Sequence, residues 1–346
     1  MRVKFFYHDN DGNIYLTRKD AVESGKNVHF YFYDDEFRRM DWTKEPTESL
    51  PELYRQRAQQ IRDTYQKVVL CYSGGIDSSQ ILETFYYNNI HIDEILIVGA
   101  FARDSFKGSD ENHNGEIYHN AFPLLERLHL PNTKITVADY TEHFKQPNNF
   151  KLIRDYGDEF YKHLGFRTSV HNIFWRELHD FVGDSKHTAY VMGKDKPALR
   201  FNMELNRFYA VFHDVSFVDY GNVFEYDNAK KIFFYTEPDA FKIMLKQYYL
   251  IKKAGLECIK DGRFGQINVF DNYIESIKPI IYHLKNPLNF VSPKSKLTYL
   301  SARDMWLTEV KDSDIFKYYI QGMHKMSKEV NLGKKVVIES RKYYLD

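Results

Sequence analysis

Cysteine is scarce in this chain. Of 346 residues only Cys71 and Cys258 carry a thiol. Two cysteines so far apart exclude a disulfide framework and any C-x-x-C zinc or iron–sulfur spacing. A reducing cytoplasm is the expected setting, or the host cytoplasm if the chain is viral. An excess of one charge is missing too, since 48 Lys and Arg balance 48 Asp and Glu. That argues against a general polyanion-binding surface. No apolar run approaches the ~20 residues that cross a bilayer, and the charged start MRVKFFYHDNDGN is not a signal peptide. Nor is there a G-x-x-x-x-G-K-[ST] loop, so phosphoryl transfer of the kinase type is not favoured.

What the chain does have is aromatic residues, 27 Tyr and 27 Phe, and one informative stretch, VVLCYSGGIDSS over Val68–Ser79. The apolar run Val68-Val69-Leu70-Cys71-Tyr72 reads as a buried strand. Gly74 and Gly75 follow, and then a helix-like segment from Gln80 to Asn88. Strand, glycine turn and helix start, in that order, make an anion site: free N–H groups converge there, and the helix dipole favours negative charge. Ser73, Ser78 and Ser79 add hydroxyl donors. Asp77 beside a phosphate cradle points to a Mg²⁺ bridge.

The spacing Ser73-Gly74-Gly75-Ile76-Asp77-Ser78-Ser79 resembles the signature of the PP-loop ATP pyrophosphatases. The form with two serines is most similar to the asparagine synthetase branch. The resemblance is strong over this stretch, loose over the α/β region that follows, and absent beyond residue 200. It implies ATP and Mg²⁺ as cofactors, a loop that grips the pyrophosphate, and attack of a substrate oxygen on the α-phosphorus. Glutamine-using asparagine synthetases carry an N-terminal glutaminase domain with a cysteine after the initiator Met. Position 2 here is Arg2, and the segment before the loop is too short for that domain. Ammonia, if used, is expected free or from another subunit.

The expected fold is α/β, a doubly wound, mainly parallel sheet of the PP-loop type, in three parts. Residues 1–48 form a β-rich extension, with Val3–Tyr7 and Asn13–Thr17 flanking the turn Asp9-Asn10-Asp11-Gly12 and a further strand over Val28–Tyr33. Residues 49–200 form the ATP-binding core, and residues 201–346 an aromatic-rich α+β region completing the substrate pocket. Ser49-Leu50-Pro51-Glu52 reads as a capping box opening a helix to about Tyr65, with Arg55, Arg57 and Arg62 either on a solvated face or with one of them leaning over the phosphates. Further strands are expected over Glu94–Phe101, Lys134–Val137, Thr188–Met192 and Ile232–Tyr235. The stretch Glu116–Leu130 is helical in pattern but carries Pro123, and His171–Val182 reads as another helix. A helix begins at Glu237-Pro238-Asp239, with Gly255 as its stop. Another covers about Asp314–Val330, and the tail Lys335–Leu345 is strand-like.

Val98, Gly99 and Ala100 end the second core strand and are candidates to frame an adenine. Gly193-Lys194-Asp195-Lys196 follows the Thr188–Met192 strand, where the family places an acid that shares the Mg²⁺. The resemblance is looser there, because lysines stand where paired acids are expected. The candidate set is Asp77, Lys194 and Lys196 for catalysis, Ser73 to Ser79 for pyrophosphate, and Asp77 with Asp195 for metal. Lys294, Lys296, Arg303 and Arg341 are late candidates for an anionic pocket.

These parts imply an AMP- and PPi-forming ligase that activates a carboxylate or carbonyl oxygen of a small-molecule acceptor for an amine or ammonia, in a chain that can form a homo-oligomer. A PP-loop enzyme modifying bases of tRNA or DNA is the alternative, to be marked by a basic groove leading to the loop. A non-catalytic nucleotide-binding protein is the third reading. Sulfur transfer is disfavoured by the lack of a cysteine pair.

Overall fold

The computed structural model describes residues 5–99, 114–139, 142, 146–162, 187–193, 198–214, 229–260, 278–289, 310–331 and 338–346. The expected helix over 171–182 and most of the 103–115 loop lie outside these residues.

The protein is α/β, built on a five-stranded, all-parallel sheet. Before it come β1 (Phe5–Asp9), β2 (Ile14–Tyr15), α1 (Arg18–Glu23), β3 (Val28–Phe32) and α2 (Asp34–Phe37). The first three strands make an antiparallel sheet in the order β2-β1-β3. The extension is therefore not purely β, because Thr17 caps α1 by accepting from the Asp20 N–H. The capping box forms as expected. The Ser49 hydroxyl and Glu52 carboxylate exchange bonds with each other's backbone and start α3 (Leu50–Thr64), a device worth about 1 kcal/mol.

The central sheet uses β4 (Lys67–Cys71), β5 (Glu94–Gly99), β6 (Lys134–Asp139), β7 (Thr188–Met192) and β10 (Ala229–Phe233) in the order β10-β7-β4-β5-β6. Val68, Val69 and Leu70 are buried, as are Ile95 and Ile97. Such continuous apolar strands with no polar face belong in a parallel sheet covered on both sides. From β4 the chain steps outward to β5 and β6, then returns to place β7 and β10 on the other side of β4. That reversal creates a switch point beside β4, where open α/β sheets leave a crevice at the strands' carboxyl ends.

A third, antiparallel sheet has the order β11-β9-β8, from β8 (Ala198–Asn202), β9 (Arg207–Val211) and β11 (Tyr343–Tyr344). The β8–β9 hairpin thus crosses residue 200, and β10 adds to the central sheet from beyond it. The N-terminal sheet leans on this late material. Phe30 N–H donates to the Glu339 carbonyl at 2.9 Å. Arg18 and Asp214 form a buried ion pair at 2.8 Å. One continuous buried core runs from Tyr7 to Leu345.

Several helices differ from expectation. Between Glu116 and Leu130 the chain makes one π-helical turn, Ile117–Ala121, that runs without a break into α5 (Phe122–Arg127); Pro123, which has no N–H to give to the preceding turn, sits at that junction. The helix α6 (Lys151–Tyr156) follows β6. Gly255 does not stop the helix after Pro238. That helix, α7 (Phe241–Lys260), runs through it. A methyl group on Gly255 would lie 3.5 Å from the Phe208 ring, so the glycine sits where helix and hairpin pack closely. Arg57 is not solvated. It is buried against Glu237 at 3.1 Å and Asp239 at 2.6 Å, since α3 packs against α7. In the tail, β11 is confined to two residues, and the bridge His213 to Glu339 is the other strand-like contact there among the described residues. The short α8 (Lys278–Ile281) and the long α9 (Asp314–Asn331) complete the elements.

Candidate functional site at the head of the central sheet

The Ser73–Ser79 stretch leaves β4 at the switch point and enters α4 (Ile76–Tyr87). Gly75 is its N-cap and supplies no side-chain cap. No serine or aspartate side chain caps the helix start, where the dipole favours negative charge. Gly74 has φ +78°, and a Cβ there would collide with the Glu116 carbonyl oxygen. Only glycine tolerates both the angle and the contact.

The serines brace the turn. The Ser78 hydroxyl donates to the Gly75 carbonyl at 3.1 Å and lies 3.2 Å from the Ser73 hydroxyl. The Ser79 side chain points inward, its Oγ 3.3 Å from the Tyr72 hydroxyl. Burial pushes the Tyr72 hydroxyl up to about 12, so it stays protonated.

The end of β7 meets this turn. A Cβ on Gly193 would stand 2.8 Å from the Ser78 nitrogen and 3.1 Å from Asp77 Cβ. The glycine that opens the second candidate segment therefore abuts the first turn of α4. Lys194, Asp195 and Lys196 themselves lie outside the described residues, as does Ala100. Val98 and Gly99 close β5, paired with Ala138 and Asp139, at the same carboxyl edge as the loop. Lys294, Lys296 and Arg303 also lie outside the described residues. Arg341 is 3.6 Å from Asp34 in the N-terminal part.

Asp77 is held by residues that sequence spacing does not reveal. Lys278 Nζ lies 2.5 Å from its Oδ2, with the two side chains 8% and 15% exposed. The Tyr282 hydroxyl donates to Oδ1. The Tyr235 hydroxyl, just past β10, donates to the Asp77 carbonyl at 2.7 Å. Lys278 and Tyr282 belong to a strap, residues 278–289, laid along the outer face of α4. Gln80 Oε1 accepts from the His283 N–H at 2.7 Å. The Glu83 carboxylate accepts from the Lys285 N–H at 2.6 Å and the Asn286 N–H at 2.9 Å. Buried polar residues on α4 would otherwise be costly, and the strap accounts for them.

The far end of the strap reaches the π-helical turn. The Asn289 N–H donates to Asn120 Oδ1 at 2.9 Å, and Asn120 Nδ2 donates to the Gly74 carbonyl at 3.1 Å. Beside it, Glu116 Oε2 would stand 3.1 Å from a Cβ on Gly75. A π-helical turn at such a place is a common mark of a functional site. Burial pushes the Cys71 thiol up to about 12, which removes it as a nucleophile near neutral pH.

The helix start has no side-chain cap, the turn at Gly74 admits only glycine, and the charged groups gathered beside them are Asp77, Lys278 and Glu116. Among the described residues no three His, Cys, Asp or Glu side chains stand together as a metal cage. A Mg²⁺ ion suits Asp77 only if it arrives with phosphate oxygens and water as its other ligands, as this ion commonly does, and takes the carboxylate from Lys278. Among the described residues no helix is long and apolar enough to cross a membrane. No protein-family model matches the chain, and no curated protein matches it.

Proposed function

We propose that the protein is an ATP-dependent, AMP- and PPi-forming ligase of the PP-loop kind. It activates a carboxylate or carbonyl oxygen of a small acceptor for attack by an amine or ammonia. The observation that carries this reading is the meeting of Gly193, at the end of β7, with the first turn of α4 beneath Ser73–Ser79. Two strand ends converge at the switch point on one glycine-built anion site.

In this reading the N–H groups of the turn bind the pyrophosphate and Lys278 neutralises its charge as it departs. Asp77, paired with Lys278 in this structure, would hold the metal. Mg²⁺, when bound, supplies charge neutralisation on the phosphates. The protein's part is to hold acceptor and α-phosphorus in line and to keep water out.

The test is calorimetric titration of ATP with Mg²⁺ into wild type and a Ser73→Ala/Asp77→Ala protein. Binding to wild type that fails in the double variant is the expected result. A screen of acceptors scored by AMP and PPi release then follows. Absence of binding to wild type overturns the reading.

A further inference from the structure

Asn120 makes a contact that bears on how the cradle is aimed. Its side chain is buried, on the single π-helical turn Ile117–Ala121. Nδ2 donates to the Gly74 carbonyl, and Oδ1 accepts from the Asn289 N–H on the strap. The Gly74–Gly75 peptide is trans, as are all peptides of the described chain. In a planar trans peptide the carbonyl and the following N–H point in opposite directions. Fixing the Gly74 oxygen on Asn120 therefore aims the Gly75 N–H the other way, toward the Ser73 hydroxyl 3.3 Å from it.

A peptide between two glycines rotates at little steric cost. The opposite orientation would turn a carbonyl oxygen into the space meant for an anion. Something must choose between the two orientations, and among the described residues Asn120 is the side chain that grips the Gly74 carbonyl.

We infer that Asn120 is a positioning residue: it locks the Gly74–Gly75 peptide with its N–H toward the Ser73 hydroxyl, on the side of the turn proposed above to take the anion, and the strap in turn locks Asn120. The inference rests on the anion-binding reading above. It adds a residue that touches neither nucleotide nor acceptor and sets the polarity of the loop.

The test uses two variants of the full chain with inorganic pyrophosphate and Mg²⁺ as the probe. Asn120→Asp keeps the size and the bond from Asn289. It replaces the donor facing Gly74 with a carboxylate, which repels that carbonyl and attracts the Gly75 N–H. Asn120→Ala removes the lock without reversing it. Loss of a buried hydrogen-bond partner translates to roughly 10- to 100-fold in affinity. Asn120→Asp is expected to weaken pyrophosphate binding by that factor, and by more than Asn120→Ala does.

A merely structural asparagine gives the reverse order. The isosteric Asp would be the milder change and Ala the worse, with affinity following melting temperature. That order, or unchanged binding in both variants, overturns the inference. A second readout needs no ligand. In spectra of ¹⁵N-glycine-labelled protein the Gly75 amide proton should move downfield in Asn120→Asp, having gained a carboxylate acceptor, and should not do so in Asn120→Ala. If wild type binds neither pyrophosphate nor ATP, the nucleotide reading falls, and this resonance alone decides the role of Asn120. The same Gly75 position in wild type and Asn120→Asp ends it.

Discussion

Two regions of this molecule are held in opposite ways. Where the N-terminal sheet meets β9 and the tail, rings pack on rings. Phe212 lies 5.0 Å from both Phe32 and Phe37, and Trp42 stacks on Tyr343 at 4.6 Å. At the head of the central sheet, single polar contacts fix the parts: Asn120 on Gly74, Lys278 and Tyr282 on Asp77, Glu83 on the strap. The rings of the seam are non-directional and redundant and confer stability without demanding one geometry, with the buried Arg18–Asp214 pair a directional contact set among them. The loop end is directional and has few contacts, which gives one geometry and little surplus stability. A site that must aim N–H groups within tenths of an ångström needs the second kind.

The comparison is broken most forcefully at the seam. Phe212→Ala should cost about 3–5 kcal/mol, the usual loss for a buried ring, read from denaturant unfolding. The affinity of the remaining folded protein for MgATP should be unchanged. A loss of affinity without a loss of stability would show that the two regions are not separate.

At the loop it is turnover that moves most. Asp77→Ala should lower AMP formation by roughly 10²- to 10³-fold, the range for removing one charge-stabilising group. Affinity for MgATP should fall less. The melting temperature should fall as well, because the substitution takes the carboxylate away from the buried Lys278 ammonium. Unchanged turnover would remove Asp77 from the chemistry.

Cys71→Ser sharpens the contrast, because β4 ends at the loop yet belongs to the core. A buried hydroxyl in place of the thiol should cost about 1–3 kcal/mol, with turnover retained in the folded protein. With its thiol pushed up to about 12 by burial, Cys71 should resist alkylation at pH 8 in a Cys258→Ser background. Rapid labelling of native protein would contradict that burial.

The smallest effect belongs to Asp9 in the N-terminal turn. The Asn13 side chain first, and the Asn13 and Asp11 N–H groups and Tyr15 hydroxyl with it, hold its carboxyl down to about 2 from 3.8. The folded value lies below the unfolded one. Its contribution is therefore complete above the ordinary carboxylate range and is lost as pH falls toward 2. The melting-temperature gap between wild type and Asp9→Asn should be steady from pH 5 upward and close between pH 4 and pH 2. A gap that does not change with pH would assign the turn to shape rather than charge.

Much of the scaffold was legible in the sequence because its signals are local. The capping box at Ser49, the apolar runs of β4, β5 and β7, and the glycine turn at Gly74 each depend on neighbours a few residues away. The Arg57 reading failed because helix periodicity says nothing about which face another helix will cover. Gly255 was misread because a glycine that ends a helix and a glycine within one look alike in sequence. Half of the site was hidden for a plainer reason. Lys278 stands 201 residues from Asp77, and Asn120 stands 46 from Gly74, distances over which no spacing rule operates. The one long-range signal within reach was the pair of buried polar residues Gln80 and Glu83, which had to find partners somewhere.

The order in which the strap and sheet appear along the chain has a kinetic consequence. Asp77 leaves the ribosome well before β10 and the strap that holds the loop, which follow only after residue 228. Contacts of such sequence separation form late and slowly. A nascent chain stopped near residue 200 would carry the whole glycine signature and neither the fifth strand nor Lys278. The contacts that hold Asp77 are therefore complete only once residue 282 has been made, and until β10 arrives one edge of β7 stays unpaired and open to aggregation.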